Sequence, residues 1–140
     1  MALDKPKIAS ILLLMASIGV LIGSTEYYSS ELDNAEDHEV FKHQVPSWNP
    51  LPQSIRVTVD SDKKVEAVLM EEYSGEEVVR SGSSVFMSNT AYPGDVWILK
   101  ISNQGEAKTH VMARILDYTY LTAGVIMLFT SIILYLIANR

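Results

Sequence analysis

The sequence contains no cysteine. That removes disulfides, zinc–thiolate sites and thiol nucleophiles together. It also lacks an N-x-Ser/Thr sequon, since Asn34, Asn49, Asn89 and Asn103 are not followed two residues on by a hydroxyl side chain. The two absences together fit a prokaryotic cell surface better than a secretory lumen. Basic charge is in deficit: 11 Lys and Arg stand against 17 Asp and Glu, a net charge of −6. A phosphate backbone would find little to bind, which excludes a nucleic-acid partner. No Ser/His/Asp order, phosphate-binding loop or nucleotide fingerprint occurs. At 140 residues the chain has room for one modest domain.

Charge is missing altogether from two stretches, Ile8 to Thr25 (18 residues) and Tyr118 to Asn139 (22 residues). A helix rises ~1.5 Å per residue and a bilayer core is ~30 Å thick, so a span needs about 20 apolar residues. The second stretch meets that without interruption, and its apolar residues occupy every face. A helix apolar all round is buried in protein or lipid. The remaining residues are too few and too polar to enclose it, so lipid is the expected surrounding. Tyr118, Tyr120 and Tyr135 lie near its ends, where aromatic rings favour the headgroup layer. The first stretch, IASILLLMASIGVLIGST, also resembles a signal peptide, with Lys5 and Lys7 ahead of it and Gly23 and Ser24 behind. It exceeds the usual signal core of about 7–15 residues, which favours a retained anchor.

Lys5, Lys7 and Arg140 flank the two stretches, and positive charge stays on the cytoplasmic side. The expected order is a cytoplasmic tail over 1–7, a membrane helix over 8–25, an extracytoplasmic segment, a membrane helix over 118–138 and a tail over 139–140. The segment between the helices carries eight basic and sixteen acidic residues, a net of −8. Its first part, 26–53, reads as an acidic helical or extended connector. Tyr28, Leu32, Ala35 and Glu39 recur at roughly helical spacing, and PSWNPLP then forms a stiff extended link.

From 54 to 117 the pattern changes to strands. Ile55, Val57 and Val59 alternate with polar residues, as do Val65, Ala67 and Leu69, with a turn at DSDK between them. Ser74-Gly75, Ser81-Gly82, Tyr92-Pro93-Gly94 and Asn103-Gln104-Gly105 are further turn signals, and VWILKI suits a central strand. Six or seven short strands predict an antiparallel β-sandwich. The fold class expected is a membrane protein, α plus β, with two transmembrane helices flanking that sandwich.

The run from Trp48 to Ile115, with the Tyr92-Pro93-Gly94 turn, the strand Asp95 to Ile101, the Asn103 turn and a last strand feeding a membrane helix, resembles the GOLD-type β-sandwich of vesicle cargo proteins and related prokaryotic extracytoplasmic domains. Cargo receptors of that family usually have a disulfide and a cytoplasmic sorting tail; this chain has neither, so sorting is not carried over. In overall plan the chain looks like the small extra subunits of archaeal membrane oxidases and of archaeal copper-dependent ammonia monooxygenase. That comparison rests on architecture alone.

Candidate sites are few. His38, His43 and His110 are the imidazoles, with Met70, Met87 and Met112 as soft donors. His38 and His43 are five apart, which is not a same-face helical pair, and the methionines occupy strand positions where they serve as filling. No metal site and no cofactor are expected. Glu31, Asp33, Glu36, Asp37 and Glu39 form an acidic run without the calcium-loop glycine, a solvated charged face. Glu71-Glu72 and Glu76-Glu77 could suggest a two-carboxylate glycosidase, but they flank a Ser-Gly turn and read more simply as exposed turn charge. Gly19 and Gly23 form a GxxxG in the first membrane helix with Ala16 nearby, a face on which another helix can approach closely. Ser10, Ser17, Thr122, Thr130 and Ser131 also prefer protein to lipid. The expected function is therefore a non-catalytic accessory subunit of a larger prokaryotic, specifically archaeal, membrane complex such as a respiratory or copper monooxygenase assembly. Its partners would be other membrane subunits and lipid. The alternative is a free-standing, membrane-anchored surface binding module.

Overall fold

The computed structural model describes residues 4–32, 38–103 and 108–140. The chain is α plus β and divides into two compact units. One contains the terminal helices α1 (Lys5–Gly23) and α2 (Tyr118–Ala138); the other, Glu26–Leu116, is an antiparallel curled sheet.

The helices begin where the sequence supplies starts. Pro6 sits in the first turn of α1, where its missing N–H costs nothing. Asp117 caps α2, its carboxylate accepting from the Thr119 N–H at 2.9 Å. At 1.5 Å per residue the helices are ~28 and ~31 Å long. Both are long and apolar enough to cross a membrane.

The sheet contains β1 (Thr25–Leu32), β2 (His38–Gln44), β3 (Gln53–Glu71), β4 (Glu77–Ala91), β5 (Val96–Asn103) and β6 (Thr109–Asp117). Its order is β1-β6-β3-β5-β2, with β4 on the other edge of β3. The two strands of the β3–β4 hairpin are much longer than the sequence suggests. DSDK and Ser81-Gly82 were expected to end strands, but β3 and β4 run through them. The two irregular stretches lie opposite one another: pairing is regular from Gln53↔Ala91 to Asp60↔Ser84, slips, and resumes from Val65↔Gly82 to Met70↔Glu77. Gly82, at φ 152, takes the backbone angle the slip requires. Residues that would close a hairpin elsewhere here bend a paired ribbon, because both strands carry their irregularity at the same place.

The bend lets β3 pair β5 with its second half, from Val65↔Asn103 to Glu71↔Trp97. β6 runs along the first half: Asp62 N–H donates to the Lys108 carbonyl at 3.2 Å, and the Ser61 and Thr109 hydroxyls are 3.0 Å apart. Alternate residues of each half point inward. Ile55, Val57 and Val59 meet Val65, Ala67, Leu69, Val85, Met87, Trp97, Leu99, Ile101, Val111 and Ala113 in one core.

The segment expected to be a helical or extended connector belongs to the sheet. Glu26–Leu32 and His38–Gln44 are strands, and residues 33–37 lie outside the described ones. The Tyr28 hydroxyl donates to the Val40 carbonyl at 2.7 Å, and its ring lies 5.4 Å from that of Phe41. A register shift between Glu39 and Phe41 turns both Val40 and Phe41 into the core. Helix-tolerant residues were overridden by the open edges of β5 and β6. The proline-rich link is likewise no extended strap: Asn49 N–H returns to the Pro46 carbonyl at 3.1 Å, and Val45 is fully buried. Of the remaining turns, Ser74-Gly75 and Tyr92-Gly94 fall between strands, with Gly75 at φ 72 and Gly94 at φ 88. The Asn103–Gly105 turn falls mostly on residues 104–107, outside the described ones.

Candidate functional site

The helix pair packs with its small and polar residues inside. The buried residues are Ser10 and Ser17 on α1 and Gly124 and Ser131 on α2. Ser10 Oγ donates to the Ser131 carbonyl at 2.9 Å, and Ser131 Oγ donates to the Ser10 carbonyl at 2.8 Å. Ser17 Oγ bonds the Leu14 carbonyl within its own helix. The large apolar side chains face outward: Leu12, Met15 and Ile22 on α1, and Ile126, Phe129, Leu136 and Ile137 on α2 are all 60% or more exposed.

Ser10, Ser17 and Ser131, expected to prefer protein to lipid, are buried within the helix pair, Ser10 and Ser131 by bonding across it. The glycine of the contact is Gly124, not Gly19 or Gly23. A Cβ on Gly124 would stand 2.7 Å from the Leu21 side chain and 3.3 Å from the Leu21 nitrogen, whereas at Gly19 and Gly23 it would meet nothing within 4 Å. Ala16, Gly19 and Gly23 recur at spacings of three and four on an exposed face of α1. Close backbone approach should outweigh the serines here, since a single intramolecular hydrogen bond nets only about 0.5–1.5 kcal/mol. Gly124→Leu should separate the helices while Ser131→Ala loosens them slightly. Cross-linking yield between Ser10→Cys and Ser131→Cys reads the glycine's part: near-complete with Gly124 present, lost with Gly124→Leu. Equal yields would show that Gly124 does not set the contact.

At the bend of the ribbon a cleft of about 440 Å³ is lined by Glu31, Leu32, Asp60, Ser61, Asp62, Lys108, Thr109 and His110. His110 Nδ1 is 3.8 Å from a Glu31 carboxylate oxygen. His43 lies elsewhere, hydrogen-bonded through Nε2 to the Gln53 side chain, and His38 stands on β2 opposite Ile101. Among the described residues no three His, Cys, Asp or Glu come together as metal ligands. Of the acidic run, Glu31 lines the cleft, Glu39 is exposed on β2, and Asp33, Glu36 and Asp37 lie outside the described residues.

Glu71 corrects the reading of its neighbourhood as exposed turn charge, for it is 3% exposed. One carboxylate oxygen accepts from the Ser74 N–H and from the Tyr73 N–H at 3.0 Å; the other accepts from the Val96 N–H at 3.2 Å. The Ser74 hydrogen bonds, foremost its backbone N–H, lower its pKa from 4.5 to about 2 against the opposing effect of burial; those from Val96 and Tyr73 add to this. The group joins the β3–β4 turn to the start of β5. Backbone bonds extend the join: Glu72 N–H to the Val96 carbonyl at 2.8 Å, Val45 N–H to the Asp95 carbonyl at 2.9 Å and Gly94 N–H to the Val45 carbonyl at 3.0 Å. Three loops are thus tied into one rim. A glutamate beside a Ser-Gly turn gives no sequence sign of this, because the Val96 donor is 25 residues away.

No protein-family model and no curated protein matches the sequence. Solved β-rich structures match at low similarity. The disulfide-linked pili of Bacillus endospore appendages give a TM-score of 0.43 at 14% identity, over 66% of this chain and 86% of that one. The Yersinia pseudotuberculosis-derived mitogen gives 0.39 at 13%, over 64% and 83%. A predicted oxalate decarboxylase from Thermotoga maritima gives 0.40 at 14%, over 71% and 72%. Scores this low carry no argument about function.

Proposed function

We propose that the protein is a non-catalytic subunit of a larger prokaryotic membrane assembly, anchored by α1 and α2 and presenting its acidic sheet on the extracytoplasmic side. The observation that carries the reading is the inside-out packing of the helix pair. Serines and a glycine lie within and bulky apolar side chains lie without, as lipid favours and water does not. The pair is satisfied internally, yet α1 keeps a small-residue face at Ala16, Gly19 and Gly23 with open space above it. Another subunit's helix can approach there, while the outer face of α2 is mostly bulky, with Thr122, Ala123 and Thr130 as its small exposed residues. In this reading the two halves of the bent β3 belong to facing layers, a β-sandwich of GOLD-type plan. The host is an energy-conserving or substrate-oxidising complex, by analogy of plan with the archaeal oxidase and ammonia monooxygenase subunits.

Gly19→Leu or Gly23→Leu should release the protein from its assembly in native gels of membrane extracts. The Ser10 to Ser131 contact should survive, because a Cβ at these positions meets nothing within 4 Å. Ile18→Leu, on another face of α1, should be silent. Unchanged co-migration of both glycine variants would reject this interface. In intact cells, Lys63→Cys should react with an impermeant maleimide; protection would reverse the orientation.

The cleft at Glu31, Asp60, Asp62 and His110 favours the second reading, a free-standing surface binding module. Absence of any partner co-purifying with the parent chain would favour it over the subunit.

A further inference from the structure

The aromatic residues of the sheet unit are unevenly placed. Trp48, Tyr73 and Tyr92 are 67%, 76% and 60% exposed, and each stands on a different loop. These are the three loops that Glu71 and the Val45, Asp95 and Val96 backbone bonds tie together. The bend at the other end, residues 60–64, 81–84 and 108–110, holds no Phe, Tyr or Trp but carries Asp60, Asp62, Lys63, Lys64 and Lys108. Among the described residues only Phe86, in the middle of β4 opposite Thr58, is a large exposed aromatic away from both ends and from β1.

The rim is also the end from which the chain leaves for both helices. Thr109 lies beside Ser61, and Asp62 beside Lys108, so β6 runs antiparallel to β3. Eight residues on, the end of β6 at Asp117 falls alongside Gln53, the first residue of β3. α2 starts at the next residue, and β1 starts at Thr25, one residue after Ser24 caps α1. Asp117 N–H donates to the Ser24 carbonyl at 2.7 Å, so the two exits are adjacent. Tyr27, 75% exposed, stands just past one exit, and Tyr118 and Tyr120 just past the other.

From this we propose that the Trp48, Tyr73 and Tyr92 loops form a lipid-docking rim that seats the sheet in the headgroup layer of the bilayer. The proposal rests on the reading of α1 and α2 as membrane spans. One residue or none separates the sheet strands from α1 and α2 along the chain. Indole and phenol rings, apolar in body and polar at the tip, favour that layer. The charges nearby are the Lys42–Glu72 pair, Glu76, Glu77 and Asp95, an acidic surplus. Attraction to anionic lipid is therefore not the source of docking, and zwitterionic lipid should suffice.

The absence of native cysteine allows single nitroxide labels on the full chain in phosphatidylcholine vesicles. Labels at Ser47→Cys and Thr90→Cys report the rim, Lys63→Cys the bend, and Met15→Cys the middle of α1. Collision with an aqueous nickel chelate should be several-fold lower at the rim labels than at Lys63→Cys, and unaffected by salt. Adding Trp48→Ala, Tyr73→Ala and Tyr92→Ala together should raise collision at Ser47→Cys to the Lys63→Cys level. Rim labels as accessible as Lys63→Cys, with Met15→Cys still in hydrocarbon, would overturn the rim and leave the spans intact. A water-exposed Met15→Cys would overturn the membrane reading and the rim with it. Protection that survives loss of the three aromatics would overturn their role.

Discussion

Trp97→Ala should destabilise the sheet by about 3–5 kcal/mol, the range for deleting a buried large aromatic side chain. Trp97 is 1% exposed and packs in the core shared by both halves of β3. Its β5 neighbours Leu99 and Ile101 are fully buried too, which leaves little freedom for the site to collapse around the cavity. Domains of this kind hold about 5–15 kcal/mol in total, so the loss would remove a large share of it. The measurement is urea unfolding of the full chain in detergent micelles, followed by circular dichroism. Phe86→Ala is the control. That ring is 61% exposed, and surface substitutions of this sort usually stay within about 0.5 kcal/mol. If the two variants unfold at the same urea concentration, the core is misplaced.

Acid should weaken the sheet through Glu71. Its pKa is lowered on folding from 4.5 to about 2, so the unfolded chain binds the proton more readily than the folded one. The stabilisation from the carboxylate is complete above the unfolded value and disappears as pH falls through about 2. Glu71→Gln replaces one acceptor oxygen by a donor, which then faces either the Val96 N–H or the Tyr73 and Ser74 N–H groups. The variant should melt well below the parent at neutral pH, and the gap should narrow steadily between pH 4.5 and 2. Melting profiles in micelles across that window check it. A gap that stays constant would show that the carboxylate is not the acid-sensitive group.

The same residue marks a limit of reading along the chain. Glu71 and Glu72 are adjacent and chemically identical, yet Glu71 is buried among backbone donors while Glu72 is paired with Lys42 at the surface. Period-two alternation places Glu71 on the inward face with Leu69 and Ala67, so the direction of its side chain was legible. That an N–H from β5 would meet it there was not. The DSDK and Ser81-Gly82 stretches show the same limit. Each alone is a good turn, and only their mutual opposition in the β3–β4 ribbon makes them a bend.

What the sequence alone determined follows from local and additive quantities. Two uncharged stretches of sufficient length specify two apolar helices, since hydropathy sums along a helix without regard to neighbours. Alternation through Ile55–Val59, Val65–Leu69 and Val111–Ile115 specifies inward faces for the same reason. Tertiary structure decided whatever depends on a second segment. It made Glu26–Leu32 and His38–Gln44 strands, because an open sheet edge satisfies backbone groups that local propensity would have placed in a helix. It also chose Gly124 over Gly19 and Gly23 for the close helix contact. Along the chain these glycines are equivalent small residues, and only the rotations of α1 and α2 that bring Ser10 against Ser131 set which of them faces the partner helix.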